Sequence, residues 1–193
     1  MSICDWFRPK RKIRGAAVYE TPLPINSQEN QQTVRSGEDE KSAERAKALS
    51  DIWMSVGSQS EIMPPHTKLW HGGTVSKASE LDNSRSLWCT NDSTKAHHYD
   101  GTARGDGMRK NRPPVRLTLT TVRELKLANF AGASLQKFTM QHCNFHHDKM
   151  NAALRDWCLL NSFDGVTNIN HGSDEVVVCF PGNDLEIKES MPL

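Results

Sequence analysis

The stretch 66-HTKLWHGGTV-75 sets a histidine between a tryptophan and paired glycines, at the end of a short apolar run. Such a run, bounded by turn residues, reads as a buried strand, and the two glycines let the backbone bend sharply or come close to a ligand. His71 therefore stands either at the floor of a pocket or as a polar residue that ends an edge strand. The rest of the chain has to decide between them.

A chain of 193 residues has room for one globular domain and a tail, since single domains run to about 100 to 200 residues. Lys plus Arg total 24 and Asp plus Glu 23, a balance that gives no reason to expect a nucleic-acid partner or a charged membrane surface. The longest apolar runs, such as 176-VVVCF-180, fall far short of the roughly 20 residues that cross a bilayer, so the chain reads as soluble. Cysteines stand at 4, 89, 143, 158 and 179 without CxxC spacing, several of them inside apolar segments, and read as reduced thiols.

Residues 1–35 differ in character from the remainder of the chain. The opening 1-MSICDWFRPKRKIRG-15 is basic with a few apolar residues, and 20-ETPLPINSQENQQTVRS-36 is rich in Pro, Ser, Asn and Gln. That composition buries too little apolar surface to offset the entropy of ordering, so 1–35 reads as a disordered tail and 36–193 as the folded domain. The opening also lacks the apolar core of about 7 to 15 residues that marks a cleaved secretory signal.

Within the domain, Ala46, Leu49, Ile52 and Trp53 at helical spacing, with Gly57 as a stop, predict a helix over 38–56. The stretch around His71 is then a strand, 86–90 a second, and 92–100 a short helix capped by Asp92. The polar, glycine-bearing 101-GTARGDGMRKNRPP-114 reads as a long loop, mobile or functional. Alternation predicts a strand over 115–122, and an apolar run predicts a second over 125–130. Helices come next over 132–142 and 147–163, the second with Met150, Ala153, Leu154, Trp157 and Leu160 on one face. Strands close the chain at 164–169 and 174–180, with a short edge strand at 184–187. The result is a compact α+β domain with a strand-rich core and flanking helices.

Chemistry-bearing residues gather at three places. One is His71 with its glycines, and a second is Trp88 and Tyr99, eleven residues apart across a strand and a helix, whose rings could line one cleft. The third is Glu175, a carboxylate at the mouth of an apolar strand, where a ligand can meet it. Each also has an ordinary reading, as core aromatics or a solvated strand-end charge. His142, Cys143, His146 and His147 match no closed zinc spacing, and no metal is expected. Arg104, Arg109, Lys110 and Arg112 read as a solvated loop that could also meet phosphate.

Taken together these segments resemble a known family. 69-LWHGG-73 resembles the Leu-Trp-His-Gly segment of poly(ADP-ribose) polymerases and related ADP-ribosyltransferases of the diphtheria-toxin type. 87-LWCTNDSTKAHHY-99 looks like that family's second motif, where an aromatic opens the segment and a tyrosine closes it eleven residues later. 162-SFDGVTNINHGSDEVVVCF-180 is similar to the closing part of many such domains, where an aromatic-Asp-Gly turn precedes a glutamate entering a Val-rich strand. The likeness covers about residues 66–187.

The resemblance implies an NAD-dependent mono-ADP-ribosyltransferase with NAD as substrate and no metal. His71 would hydrogen-bond a ribose hydroxyl, the backbone of Gly72 would clamp the nicotinamide carboxamide, and Tyr99 would stack on the nicotinamide ring. Glu175 would be the catalytic carboxylate, with His71 and Tyr99 completing the set. Trp88 falls where the family's His-Tyr-Glu set has tyrosine, so it can stack but offers no phenolic hydroxyl. Thr90 joins the NAD-binding residues, in 89-CTN-91, where the arginine-modifying branch has Ser-Thr-Ser. That branch carries a second glutamate at the position of Ser173, so arginine loses its usual support as acceptor. The target is an unidentified macromolecule, a protein first of all. A short polar head without a signal resembles bacterial effectors delivered to a host cell, with phage or cytosolic origin equally consistent. Two other readings stand beside this one: a catalytically silent binding module of the same fold, and an NAD-using RNA 2′-phosphotransferase, whose two-domain basic architecture is absent.

Overall fold

The computed structural model describes residues 27–75, 80–170 and 172–193. Helix α1 (Ser27–Ser55) is followed by strands β1 (Gln59–Met63), β2 (Lys68–Gly73) and β3 (Leu87–Thr90), a 3-10 turn (Ser93–Lys95) and helix α2 (His98–Lys110). Then come β4 (Val115–Thr121), β5 (Leu125–Ala133), helices α3 (Gln136–Cys143) and α4 (His147–Leu160), β6 (Gly165–Ile169), β7 (Gly172–Val178), α5 (Pro181–Asp184) and β8 (Leu185–Pro192). The chain divides into Met1–Ser36 and Gly37–Leu193, and the second unit holds every one of these strands.

The strands form one mixed sheet in the order β1-β5-β6-β7-β3-β2-β4-β8. Only β5 and β6 run parallel; the other neighbours are antiparallel. Side chains alternate between the faces of a strand, and β5 shows the consequence: Leu125 and Leu127 join one core, Ala128 and Phe130 the other. The first core is built from strands and a loop alone, with Leu69, Cys89, Leu117, Leu119, Val176 and Val178 among its members. Strands from both ends of the order share it, so the sheet curls over on itself. The fold is α+β, as the sequence pattern predicts.

The second core lies under α1, α3 and α4. Met150, Ala153, Leu154, Trp157 and Cys158 make the buried stripe of α4 at helical spacing. Trp157 stacks on Phe163 at 5.7 Å between centroids and meets Trp53 and Phe130 edge-on at 5.6 and 5.5 Å. Its indole N–H donates to Ser50 Oγ at 2.8 Å, which satisfies the one polar atom the ring carries inside.

Several elements differ from expectation. Helix α1 begins at Ser27 instead of 38; the remainder of the expected tail, residues 1–26, lies outside the described residues. Strand β1 is not expected from the sequence, because only Met63 of its five residues is buried and the segment shows no alternation. The expected loop over 101–114 is largely helix α2. Its glycines carry low helix propensity, but packing overrides propensity here. Ala103 and Gly107 are buried, and an added β-carbon at Gly107 would stand 2.7 Å from the Arg112 carbonyl oxygen. Asp100 forms an ion pair with Arg116 of β4, and Asn111, in the left-handed region, ends the helix. Strand β8 runs to Pro192 instead of stopping at 187, pairing along all of β4.

No helix among the described residues is long and apolar enough to cross a membrane. Cys89, Cys143, Cys158 and Cys179 are free thiols, all buried.

Candidate functional site

Strand β2 pairs with β4 along its length from Lys68 to Gly73, but it meets β3 at one residue pair, Trp70 with Thr90. Past that pair the imidazole of His71 reaches β3 in place of a backbone amide: Nδ1 lies 2.7 Å from the Trp88 carbonyl oxygen. A carbonyl only accepts, so Nδ1 carries the hydrogen in this contact. The two glycines serve opposite faces of β2. A β-carbon at Gly73 would stand 2.4 Å from His71 Nε2, and one at Gly72 would stand 2.6 Å from the Tyr99 carbonyl oxygen. Gly73 leaves room for the imidazole, and Gly72 lets α2 lie against the strand. The histidine between a tryptophan and two glycines is thus a device that bridges two parting strands.

Tyr99, at the start of α2, extends its hydroxyl to the Cys89 carbonyl oxygen at 3.3 Å. Burial, and after it the negative charge of Glu175, push its phenol well above the ordinary range, so it remains a neutral donor. Trp88 turns elsewhere. Its ring packs against the helix-side core and its indole N–H donates to Asn151 Oδ1 of α4 at 2.8 Å. The register of β3 and β7 places Trp88 opposite Val177 and Thr90 opposite Glu175, so alternation puts all four on one face. His71 is on the other face of its strand, with Leu69 of the strand-built core.

Glu175 is half-buried near the start of β7. Asn170, which comes after β6 and has positive φ, favours the charged form of its carboxylate, and Asn170 Oδ1 accepts from the Leu135 N–H at 3.0 Å. Glu175 Oε2 is shielded from solvent and has no hydrogen-bond partner. Burial, with Asp174 second, raises the carboxyl above the usual range, against the opposing pull of Asn170 and Lys95. Asp174 is held firmly: it forms an ion pair with Lys95, and Thr90 Oγ1 donates to its Oδ2 at 3.0 Å. Burial acts to raise Asp174, but the hydrogen bonds from Lys95 and Thr90 prevail and its carboxyl lies below the ordinary value.

The structure therefore brings Thr90, Tyr99 and Glu175 into one neighbourhood, sets Gly72 against the Tyr99 backbone, and joins His71 to Trp88 through the latter's carbonyl. It does not set the Trp88 ring beside Tyr99 as a matched pair of stacking faces; the indole is committed to Asn151 and the core. Thr90 acts as a buried fastener for Asp174. Arg104, Arg109 and Lys110 belong to α2, and Arg112 stands 3.7 Å from Glu80. No three potential metal ligands converge among the described residues, and His142 stacks on Phe138 at 5.5 Å.

Sequence reasoning missed Lys95, Asn170 and Asp174. One signal was available: two adjacent carboxylates, Asp174 and Glu175, entering a buried strand require a cation nearby. Compared with known proteins, the chain matches no family model, and no curated protein or solved structure is significantly similar to it.

Proposed function

We propose that the chain is an NAD-dependent mono-ADP-ribosyltransferase, which breaks the bond between nicotinamide and ribose in NAD and passes ADP-ribose to a protein target. The observation that carries this reading is Glu175, a half-buried carboxylate with one oxygen unpartnered, beside the Tyr99 phenol. Loss of nicotinamide takes the bonding electron pair with it and leaves positive charge on the ribose. A carboxylate withdrawn from water stabilises such charge far more than a solvated one, and a fixed one needs no reorganisation. The acceptor's lone pair then forms the new bond to the same carbon and its proton passes to solvent. In this reading His71 holds a ribose hydroxyl, the Gly72 backbone the carboxamide, and Tyr99 the nicotinamide ring, with Thr90 supporting the strand pair. Delivery to a host cell as an effector belongs to the same proposal.

A second reading, a silent binding module of this fold, draws on Trp88, whose ring is engaged with Asn151 instead of presenting a hydroxyl. Nicotinamide release separates the two. The protein is incubated with NAD carrying a label in its adenine, alone and with a cell lysate. The transferase reading expects free nicotinamide and a labelled protein band. NAD that stays intact under both conditions would defeat the transferase reading.

A further inference from the structure

Building on the transferase reading, we infer that Lys95 and Asp174 are a positioning pair for Glu175, through which the 3-10 turn after β3 governs where that carboxylate stands and the charge around it. The end of β3, together with the turn that follows it, holds β7 one residue ahead of Glu175 by three contacts. Lys95 forms its ion pair with Asp174, Thr90 Oγ1 donates to Asp174 Oδ2 at 3.0 Å, and the Asn91 N–H donates to the Asp174 carbonyl at 3.0 Å. Thr90 is fully buried and is also the register partner of Glu175. The turn itself is fixed by Asp92, whose Oδ1 accepts from the Thr94 N–H at 2.9 Å and the Thr94 hydroxyl at 2.7 Å. Lys95 is thus presented by a capped turn on one side and an anchored strand on the other.

Such an arrangement has an electrostatic purpose. Asp174 and Glu175 are neighbouring carboxylates, and each penalises ionisation of the other. The groups that face Glu175 are Asp174 on its own strand, Lys95 from the turn, the Tyr99 phenol from α2 and the Asn170 amide beyond β6. Lys95 is the cation among them, and its charge reaches Glu175 as well as Asp174. Removing Lys95 leaves two carboxylates uncompensated; removing the charge of Asp174 leaves Glu175 with a cation to itself. The two changes therefore act on Glu175 with opposite sign, which a purely mechanical stitch would not do.

The test tracks the Glu175 carboxyl directly. Full-length protein labelled with 13C-glutamate is titrated by NMR, with the Glu175 signal assigned by its loss in E175Q, in the wild type, K95M, D174N and the double variant. Thermal melting and the kcat and KM of nicotinamide release are measured on the same samples. The inference expects a higher titration midpoint in K95M, a lower one in D174N, and a double variant that departs from the sum of the singles. It also expects kcat to fall on the order of 10- to 100-fold in K95M while KM holds, since displacement of a catalytic group by an ångström costs about that much. K95R, which keeps the cation, recovers most of the loss, and K95Q, which also removes the charge, replaces K95M if that variant melts too low to titrate. An unchanged Glu175 midpoint in both single variants, with melting alone affected, overturns the inference. Shifted midpoints in the variants, beside a wild type that releases no nicotinamide, uphold the pair and defeat the transferase reading only.

Discussion

Trp157 and Trp88 each donate an indole N–H to a side-chain oxygen at 2.8 Å, Ser50 in one case and Asn151 in the other. Their surroundings differ. Trp157 is fully buried among Trp53, Phe130 and Phe163, while Trp88 is half-buried on a strand that also carries Thr90, the residue opposite Glu175. Around Trp157 the polar atom is matched and the rest is apolar contact. At the mouth of β7, a carboxylate oxygen is shut away from water with nothing bonded to it. An unmatched buried polar atom costs roughly 1–3 kcal/mol, so it persists only where the surrounding structure holds it in place. The core around Trp157 matches its one polar atom, whereas the mouth of β7 leaves a carboxylate oxygen unmatched.

Four substitutions put that contrast to the test. Trp157→Ala removes the ring at the centre of the aromatic cluster and strands the Ser50 hydroxyl, with an expected loss of about 3–5 kcal/mol in denaturant unfolding. A loss under about 1 kcal/mol would mean that the helix-side core does not depend on that ring.

Glu175→Gln comes next. It keeps the shape and removes the charge, and nicotinamide release should fall on the order of 10²- to 10³-fold. Its effect on stability has the opposite sign. Because burial raises this carboxyl, the folded state holds the proton more tightly than the unfolded chain does. The stability it contributes is fully present below the ordinary carboxylate pKa of about 4.3 and is lost as pH rises from there through the raised value. Glutamine does not titrate, so the variant's melting temperature should gain on the wild type between acid and neutral pH. A variant that melts earlier at pH 7 than the wild type would show that the carboxylate stabilises the fold.

Gly72→Ala is intermediate. Its new methyl would press on the Tyr99 backbone, which belongs to α2, at an expected cost of about 1–3 kcal/mol and a weaker grip on NAD. Calorimetry and NAD titration together check it; an unperturbed melt means that α2 can withdraw without loss. The smallest effect belongs to Trp88→Phe, which forfeits the Asn151 hydrogen bond for about 1 kcal/mol and keeps a ring. If that change proves as damaging to NAD binding as Glu175→Gln is to turnover, the indole belongs to the site and the contrast with Trp157 fails.

Legibility in the sequence divides along the same line. The strands expected over 115–122 and 125–130 are legible because alternation or an apolar run reports burial directly, although β5 runs on to Ala133, where the sequence reading begins a helix at 132. Helix α2 is not, since its order comes from resting on β2 and β4 and not from its glycine-bearing composition. Strand β1 is hidden for a similar reason: it is held by pairing with β5 while all its side chains but Met63 face solvent. In the site, Glu175 stands out as a charge entering a Val-rich strand. Its partner arrangement does not, because Lys95 and Asp174 are 79 residues apart and only the closed sheet makes them neighbours.

The pairing of β3 with β7 also orders events during synthesis. Thr90 and Asp174 are separated by 84 residues, and contacts between such distant segments form late, since the entropy of closing the loop is lost before the contact compensates it. A ribosome-bound chain halted before residue 172 already contains His71, Gly72 and Tyr99, but β3 has no β7 beside it and no carboxylate across from Thr90. Such a fragment lacks the carboxylate on which the proposed reading rests, so on that reading nicotinamide release requires β7 to have been laid down.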